Sequence, residues 1–148
     1  MDAHTLALNA IDRVTESIYE SICFRKGGEP DLAQLQRLFI PEGTLINNND
    51  DSPVIMSVDQ FIEALRLQIT NGSLEALHET ELAGHTKVFG KIAQRLSIYE
   101  ARMDPDQPDI LSRSVNSIQF IQTSGVWRVA SLIWHDETDE HTIPGDYA

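Results

Sequence analysis

The stretch GVWRVASLIWHDE, Gly125 to Glu137, decides the fold. It alternates as a strand does, yet it is apolar on both of its faces, so one face covers a core and the other meets a further surface. The preceding Thr123-Ser124-Gly125 reads as a tight hairpin. A two-residue Ser124-Gly125 turn pairs Thr123 with Val126 and sets the register with RSVNSIQF upstream. One face then carries Ser114, Asn116, Ile118, Phe120, Trp127, Val129, Ser131, Ile133 and His135, apolar in the middle and polar at one end. We expect this face to look inward. The other carries Val115, Ile121, Ala130, Leu132 and Trp134 beside Arg113, Arg128 and Gln119, the mixture of a subunit interface. That composition predicts a homodimer through the sheet, with Val115, Ile121, Leu132 and Trp134 at its centre. Cover by the N-terminal segment or the tail of the same chain is the alternative, and a three-residue turn would exchange the two faces.

Working backwards, the same alternation fills SLEALHETELAGHTKV, KIAQRLSIYEARM and ILSRSVNSIQFIQ, giving four long antiparallel strands joined by turns at Phe89-Gly90 and Asp104–Asp109. Before Ser73 the period is helical. Ile11, Val14, Ile18 and Ile22 mark a helix from Asp2 to about Phe24, stopped by Gly27-Gly28. Asp31 and Gln34 start a second helix that Pro41 ends, and Ser57 with Gln60 caps a third that stops at Asn71-Gly72. Short extended pieces, Thr44–Ile46 and Val54–Met56, lie between the last two. Three helices followed by four long strands predict a single α+β domain over 1–148, its helices packed on one face of a curved antiparallel sheet.

The length of 148 residues suits one domain with a core of its own, and the composition, 41% apolar and 23% charged, is that of a folded protein. A net charge of -12 argues against binding a nucleic-acid backbone or an anionic membrane. No apolar run approaches the ~20 residues of a membrane-spanning helix, and the N-terminus lacks the basic start and apolar core of a signal peptide. Cys23 is the single cysteine, so no intrachain disulfide forms; with the other two features it points to the cytoplasm, and its place on an amphipathic helix reads as a structural thiol.

The order of elements, together with HETELAGHTKVFGKIAQRLSIYEAR, RSVNSIQF, GVWRVASLIWHDET and the terminal IPGDY, resembles the nuclear transport factor 2-like superfamily, with its SnoaL-like and DUF4440-type members. The resemblance runs from the first helix to Tyr147 and is sharpest after His78. It implies a cone-shaped, cystatin-like α+β fold with a pocket between helices and sheet. The superfamily holds isomerases, dehydratases, cyclases, hydrolases, ligand-binding proteins and assembly domains, so the fold alone does not choose a chemistry.

Candidate chemistry follows from side chains expected in that pocket. His78 alternates with Ala76 and Leu82 on the apolar side of the first long strand, where an imidazole is either a general base or a buried, hydrogen-bonded residue. Ser114, Asn116, Ser131 and His135 cluster at one end of the inner face and could bind a ligand carbonyl or hydroxyl, or satisfy one another. Trp127 would form part of the wall. Tyr99 would donate into the pocket if its strand turns that face inward. Glu79 and Glu81 have the opposite parity from His78 and read as a solvated or interface edge. The run HDETDEH, His135–His141, has no cation-loop spacing and reads as an acidic tail rather than a metal site. The residue types therefore predict a pocket for a small, largely apolar molecule and, if an enzyme, acid-base chemistry without a cofactor; the alternative is a non-catalytic assembly module.

Overall fold

The computed structural model describes residues 1–147. The first helix, α1 (Ala3–Ile22), starts where the Asp2 carboxylate accepts from the Thr5 amide at 2.7 Å. It stops at Ile22, short of the glycines, because Phe24 turns extended and exchanges two backbone hydrogen bonds with Leu77. Asp31 caps α2 (Leu32–Arg37), accepting from the Gln34 amide. Pro41 does not end that helix. The chain is already extended at Phe39, where β1 (Phe39–Asn47) begins, and Pro41 lies in an irregular part of that strand. A proline, which has no amide hydrogen to donate, is tolerated there. After β2 (Val54–Ser57) the Ser57–Gln60 capping box opens α3 (Val58–Thr70), which ends at Asn71 with Gly72 at φ +82°.

The long strands are β3 (His78–Phe89), β4 (Ile92–Arg102), β5 (Ser112–Thr123) and β6 (Val126–Asp136), and a final 3-10 turn covers Gly145–Tyr147. They pair in sequence order as antiparallel neighbours within a six-stranded sheet ordered β2-β1-β6-β5-β4-β3. The short N-terminal strands extend it, with one difference from expectation: β1 joins β6 in parallel. The helices cover the concave side. Ile11, Ile18 and Ile22 of α1, Leu32 and Leu35 of α2 and Ile62 and Leu65 of α3 meet Ile118, Phe120, Trp127, Val129 and Leu132 of the sheet in one core.

The hairpin is the two-residue turn that the sequence indicates. Thr123 pairs with Val126, while Ser124 and Gly125 take φ +52° and +77°, left-handed values that match the twist of the flanking strands. The register then changes. Phe120 pairs with Val129 but Gln119 with Ser131, so Ala130 is an extra residue in β6, a β-bulge. One inserted residue reverses every later side chain. Leu132, Trp134 and Asp136 thus face inward with Ile118, Asn116 and Ser114, whereas Ser131, Ile133 and His135 lie on the outer face. Leu132 belongs to the core and Trp134 packs against it, its ring edge-on to Phe61 at 6.2 Å, so neither lies at the centre of an interface on the outer face. Ser131 and His135 correspondingly leave the pocket.

Candidate functional site

A second bulge shapes β3. Glu81 pairs with Tyr99 but Ala83 with Ile98, leaving Leu82 as the extra residue, exposed to solvent. The two positions beside which His78 was placed, Ala76 and Leu82, therefore stand outside the regular ladder. Glu79 and Glu81 point to the concave side; His78 is on the opposite strand face and borders the mouth of a cleft. This corrects the expected solvated edge at Glu79 and Glu81.

Two adjoining spaces result. An interior cavity of about 140 Å³ is lined by Ile18, Ile22, Leu35, Leu45, Phe61, Leu132 and Trp134, with Tyr19, Glu79, Tyr99 and Asn116 as its polar groups. A broader cleft of about 850 Å³ between α1 and β3 opens to solvent. Tyr19 and Glu79 line both, so they stand at the threshold between cleft and cavity.

The polar groups fall into two networks and one unpartnered acid. In the first, Asn116 Nδ2 donates to the Tyr19 hydroxyl at 3.0 Å, and Tyr19 and Ser97 are 2.5 Å apart. Because the Ser97 proton goes to Glu81, the Tyr19 proton must go to Ser97. Glu81 in turn accepts from Nε and Nη2 along one edge of the Arg95 guanidinium, whose Nη1 donates to Asp12 at 2.8 Å and to Thr86 at 2.7 Å. Gly84 makes room for this, since a Cβ there would occupy the place of the guanidinium. Tyr19 is thus committed to tying α1 to β4 and has no proton to offer a ligand. In the second network Asp136 accepts from Ser114 Oγ at 2.6 Å and from Asn49 Nδ2 at 3.2 Å, while its amide donates to Asn49 Oδ1.

Glu79 belongs to neither. Its backbone is bound on both sides to the Cys23 thiol, but among the described residues no hydrogen-bond donor reaches its carboxyl. The residue is part-buried, and it borders the two spaces that it lines. Burial, with a smaller contribution from the negative charge of Asp136, pushes this carboxyl up to about 8. Burial also raises the Tyr19 and Tyr99 phenols above their usual range, so both stay neutral at any physiological pH. Tyr99 stacks at a tilt against Tyr19, with ring centroids 5.5 Å apart, and presents its hydroxyl beside Ser114.

Of the residues singled out in the sequence, Tyr99 and Asn116 line the cavity, and Ser114 lies behind it on Asp136. Trp127 is buried in the core and lines neither space. Val115 and Ile121 are on the outer sheet face, part-buried within the single chain. His135 packs edge-on against His141 there, and among the described residues no three His, Cys, Asp or Glu side chains converge on a metal position. Glu79, Asp136 and Tyr19 were not among the residues expected in the pocket; the two bulges hid the first two, and the helical stripe used to place α1 counted only aliphatic residues.

Comparison with solved structures identifies the architecture. A protein of unknown function with a cystatin-like fold from Nostoc punctiforme superposes with a TM-score of 0.73 at 10% identity, over 94% of this chain and 97% of the other. An NTF2-like protein of unknown function from Shewanella baltica gives 0.66 at 14% identity over 94% and 100%. This chain has the nuclear transport factor 2-like fold. A further neighbour in shape, a candidate scytalone dehydratase from Novosphingobium aromaticivorans, gives 0.70 at 12% identity over 91% and 87%. No family model and no curated protein matches the chain. Among the described residues no helix is long and apolar enough to cross a membrane. At such identities the NTF2-like likeness speaks for the backbone, and the chemistry rests on this chain's own side chains.

Proposed function

We propose that the protein binds a small, largely apolar molecule in the interior cavity and catalyses proton transfer on it, with Glu79 as the acid-base group. The observation that carries this is a carboxyl without a protein partner, set at the threshold of an apolar cavity and titrating near neutrality. A catalytic acid-base group works best when its pKa lies near the working pH. The cavity volume suits one six-membered ring, comparable to apolar cavities of about 150 Å³ that accept benzene.

In this account the ionised Glu79 removes a proton from carbon next to a ligand carbonyl. The Tyr99 phenol, neutral and lining the cavity, turns its proton from the neighbouring Ser114 hydroxyl to the carbonyl oxygen as negative charge develops there. The proton on Glu79 then returns to carbon elsewhere on the ligand, an isomerisation, or protonates a departing hydroxyl, a dehydration. The occurrence of candidate dehydratases among proteins of this shape is consistent with the second outcome. Neither route draws on a group outside the chain.

The test is hydrogen exchange into ring-sized ketones, cyclohexanone and 3-hydroxycyclohexanone, incubated with the protein in deuterated buffer and read by mass spectrometry. Deuterium uptake or water loss that rises as the pH approaches 8 and disappears in Glu79→Gln is the expected result. Uptake unchanged in that variant would remove Glu79 from the role.

We further propose a homodimer through the outer sheet face, now with Val115, Ile121 and Ile133 as its apolar residues. The exposure of Ile133 diagonal to the part-buried Val115, and of Ile92 opposite Ile121, favours it. Sedimentation of the wild type should give twice the monomer mass, and that of Ile133→Glu the monomer mass; a wild-type monomer at micromolar concentration would contradict it.

A further inference from the structure

The interior cavity, the site of the proposed proton transfer, has four polar residues in its wall, and three are engaged: Glu79 with the proton, Tyr99 with the carbonyl, and Tyr19 with the bonds that tie α1 to the sheet. Asn116 is the fourth. It is 4% exposed, pairs with Ser97 and Trp134 on the neighbouring strands, and lines the cavity but not the cleft. Its Nδ2 donates to Tyr19 at 3.0 Å, whereas no donor among the described residues reaches its Oδ1. Every fully enclosed side-chain nitrogen or oxygen among the described residues has a partner, so Oδ1 is not fully enclosed; the space that it meets is the cavity.

Which end of this amide meets the cavity is decided at a distance. Glu81, ion-paired with Arg95 at 2.7 Å, accepts the Ser97 proton. Ser97 therefore accepts from Tyr19, and Tyr19, its own proton committed, accepts from Asn116. An amide carries its donors on nitrogen and its acceptor on oxygen, so a nitrogen fixed on Tyr19 leaves the oxygen as the end that a ligand meets. Arg95, Glu81 and Ser97 set this direction without lining the cavity themselves. An acceptor left unpaired in a largely apolar wall is costly, and a donor on the ligand removes that cost.

We propose that Asn116 determines specificity: the ring that occupies the cavity carries a hydroxyl group, which donates its proton to Asn116 Oδ1, and Arg95, Glu81, Ser97 and Tyr19 are positioning residues that keep this oxygen turned inward. The inference rests on the ring-sized site proposed above. The hydroxyl is a second handle, apart from the carbonyl that Tyr99 meets. A ligand with acceptors alone would set oxygen against oxygen at Asn116.

Three six-membered rings test it, cyclohexanol, cyclohexanone and tetrahydropyran, of which only the first has a donor. They are titrated calorimetrically at pH 6 into the wild type, Asn116→Leu and Ser97→Ala, with cooperative urea unfolding of each variant checked first. In the wild type the alcohol should bind about five- to tenfold more tightly than the ketone or the ether, the gain expected of one hydrogen bond. That advantage should be lost in Asn116→Leu. In Ser97→Ala, Tyr19 has only the amide left to receive its proton, so the amide turns, Nδ2 faces the cavity, and the alcohol should lose its advantage while the ketone gains, a change of ranking that a loosened core would not produce. Should Asn116→Leu fail to fold, Ser97→Ala decides. An alcohol that binds no better than the ketone in the wild type, or one that keeps its advantage in Ser97→Ala, overturns the hydroxyl handle and leaves the ring-sized site standing. Failure of all three rings to bind overturns that site and the inference with it.

Discussion

Glu79→Gln should make the protein more stable, by an amount that grows with pH. A buried carboxyl that titrates at about 8 when folded, against 4.5 as a free side chain, binds its proton more tightly in the native state. The stability linked to it is complete below 4.5 and is lost as the pH rises through 8, because the folded state must either keep a proton that the unfolded chain has released or bury a charge. Each pH unit in that window removes about 1.4 kcal/mol, so about 3 kcal/mol is gone near pH 7 and about 5 kcal/mol well above pH 8. Glutamine has nearly the same shape and no charge to bury. Urea unfolding of both proteins at pH 4.5, 7 and 9 isolates the effect, since the other titrating groups cancel in the difference. The two should be within about 1 kcal/mol at pH 4.5 and separate in favour of glutamine by about 3 kcal/mol at pH 7, equivalent to about 6–12 °C in Tm for a domain of this size. A difference that stays constant across the range, or one that favours the wild type at pH 9, would refute the desolvated and unpartnered state of this carboxyl.

Three other perturbations have defined outcomes. Gly84→Ala places a methyl group where the Arg95 guanidinium lies and should cost about 2–4 kcal/mol by displacing a buried charge from Glu81 and Asp12, seen as a lower urea midpoint. Trp134→Ala should cost about 2–4 kcal/mol in unfolding experiments, because the ring packs on Phe61 and the core; an unchanged urea midpoint would return Trp134 to the outer face. Deleting Ala130 removes the bulge and would turn Leu132, Trp134 and Asp136 outward, so the variant should be insoluble or lack cooperative unfolding.

Much of the fold was legible because its signals are local. The Ser57–Gln60 capping box, the Asp31 cap, the stop at Asn71-Gly72 and the Ser124-Gly125 turn each depend on residues within a few positions of one another. The helical stripe of Ile11, Ile18 and Ile22 likewise identified α1, although a pairing of Phe24 with Leu77, distant in sequence, set its end. The site was less legible because it depends on parity carried across two bulges. Strict alternation placed Trp134 outside and His135 inside, and Glu79 outside and His78 inside; Ala130 and Leu82 reverse these assignments, and neither residue type announces a bulge. One signal was available for Glu81: Arg95 on the adjacent strand supplies a counter-charge for an inward acid, a pairing that opposite charges on neighbouring strands favour. For Glu79, whose carboxyl has no partner, no comparable signal existed. The parallel union of β1 with β6 was equally silent, since it pairs segments about ninety residues apart in sequence.

The most direct measurement is a carbon NMR titration of the glutamate carboxyls, with the Glu79 resonance assigned by its absence from Glu79→Gln. An inflection near pH 8 is the result predicted for an acid-base group at the threshold of a largely apolar cavity. An inflection near 4.5, the value of a free side chain, would mean that water or a donor reaches the carboxyl and would contradict the site on which the proposed chemistry depends.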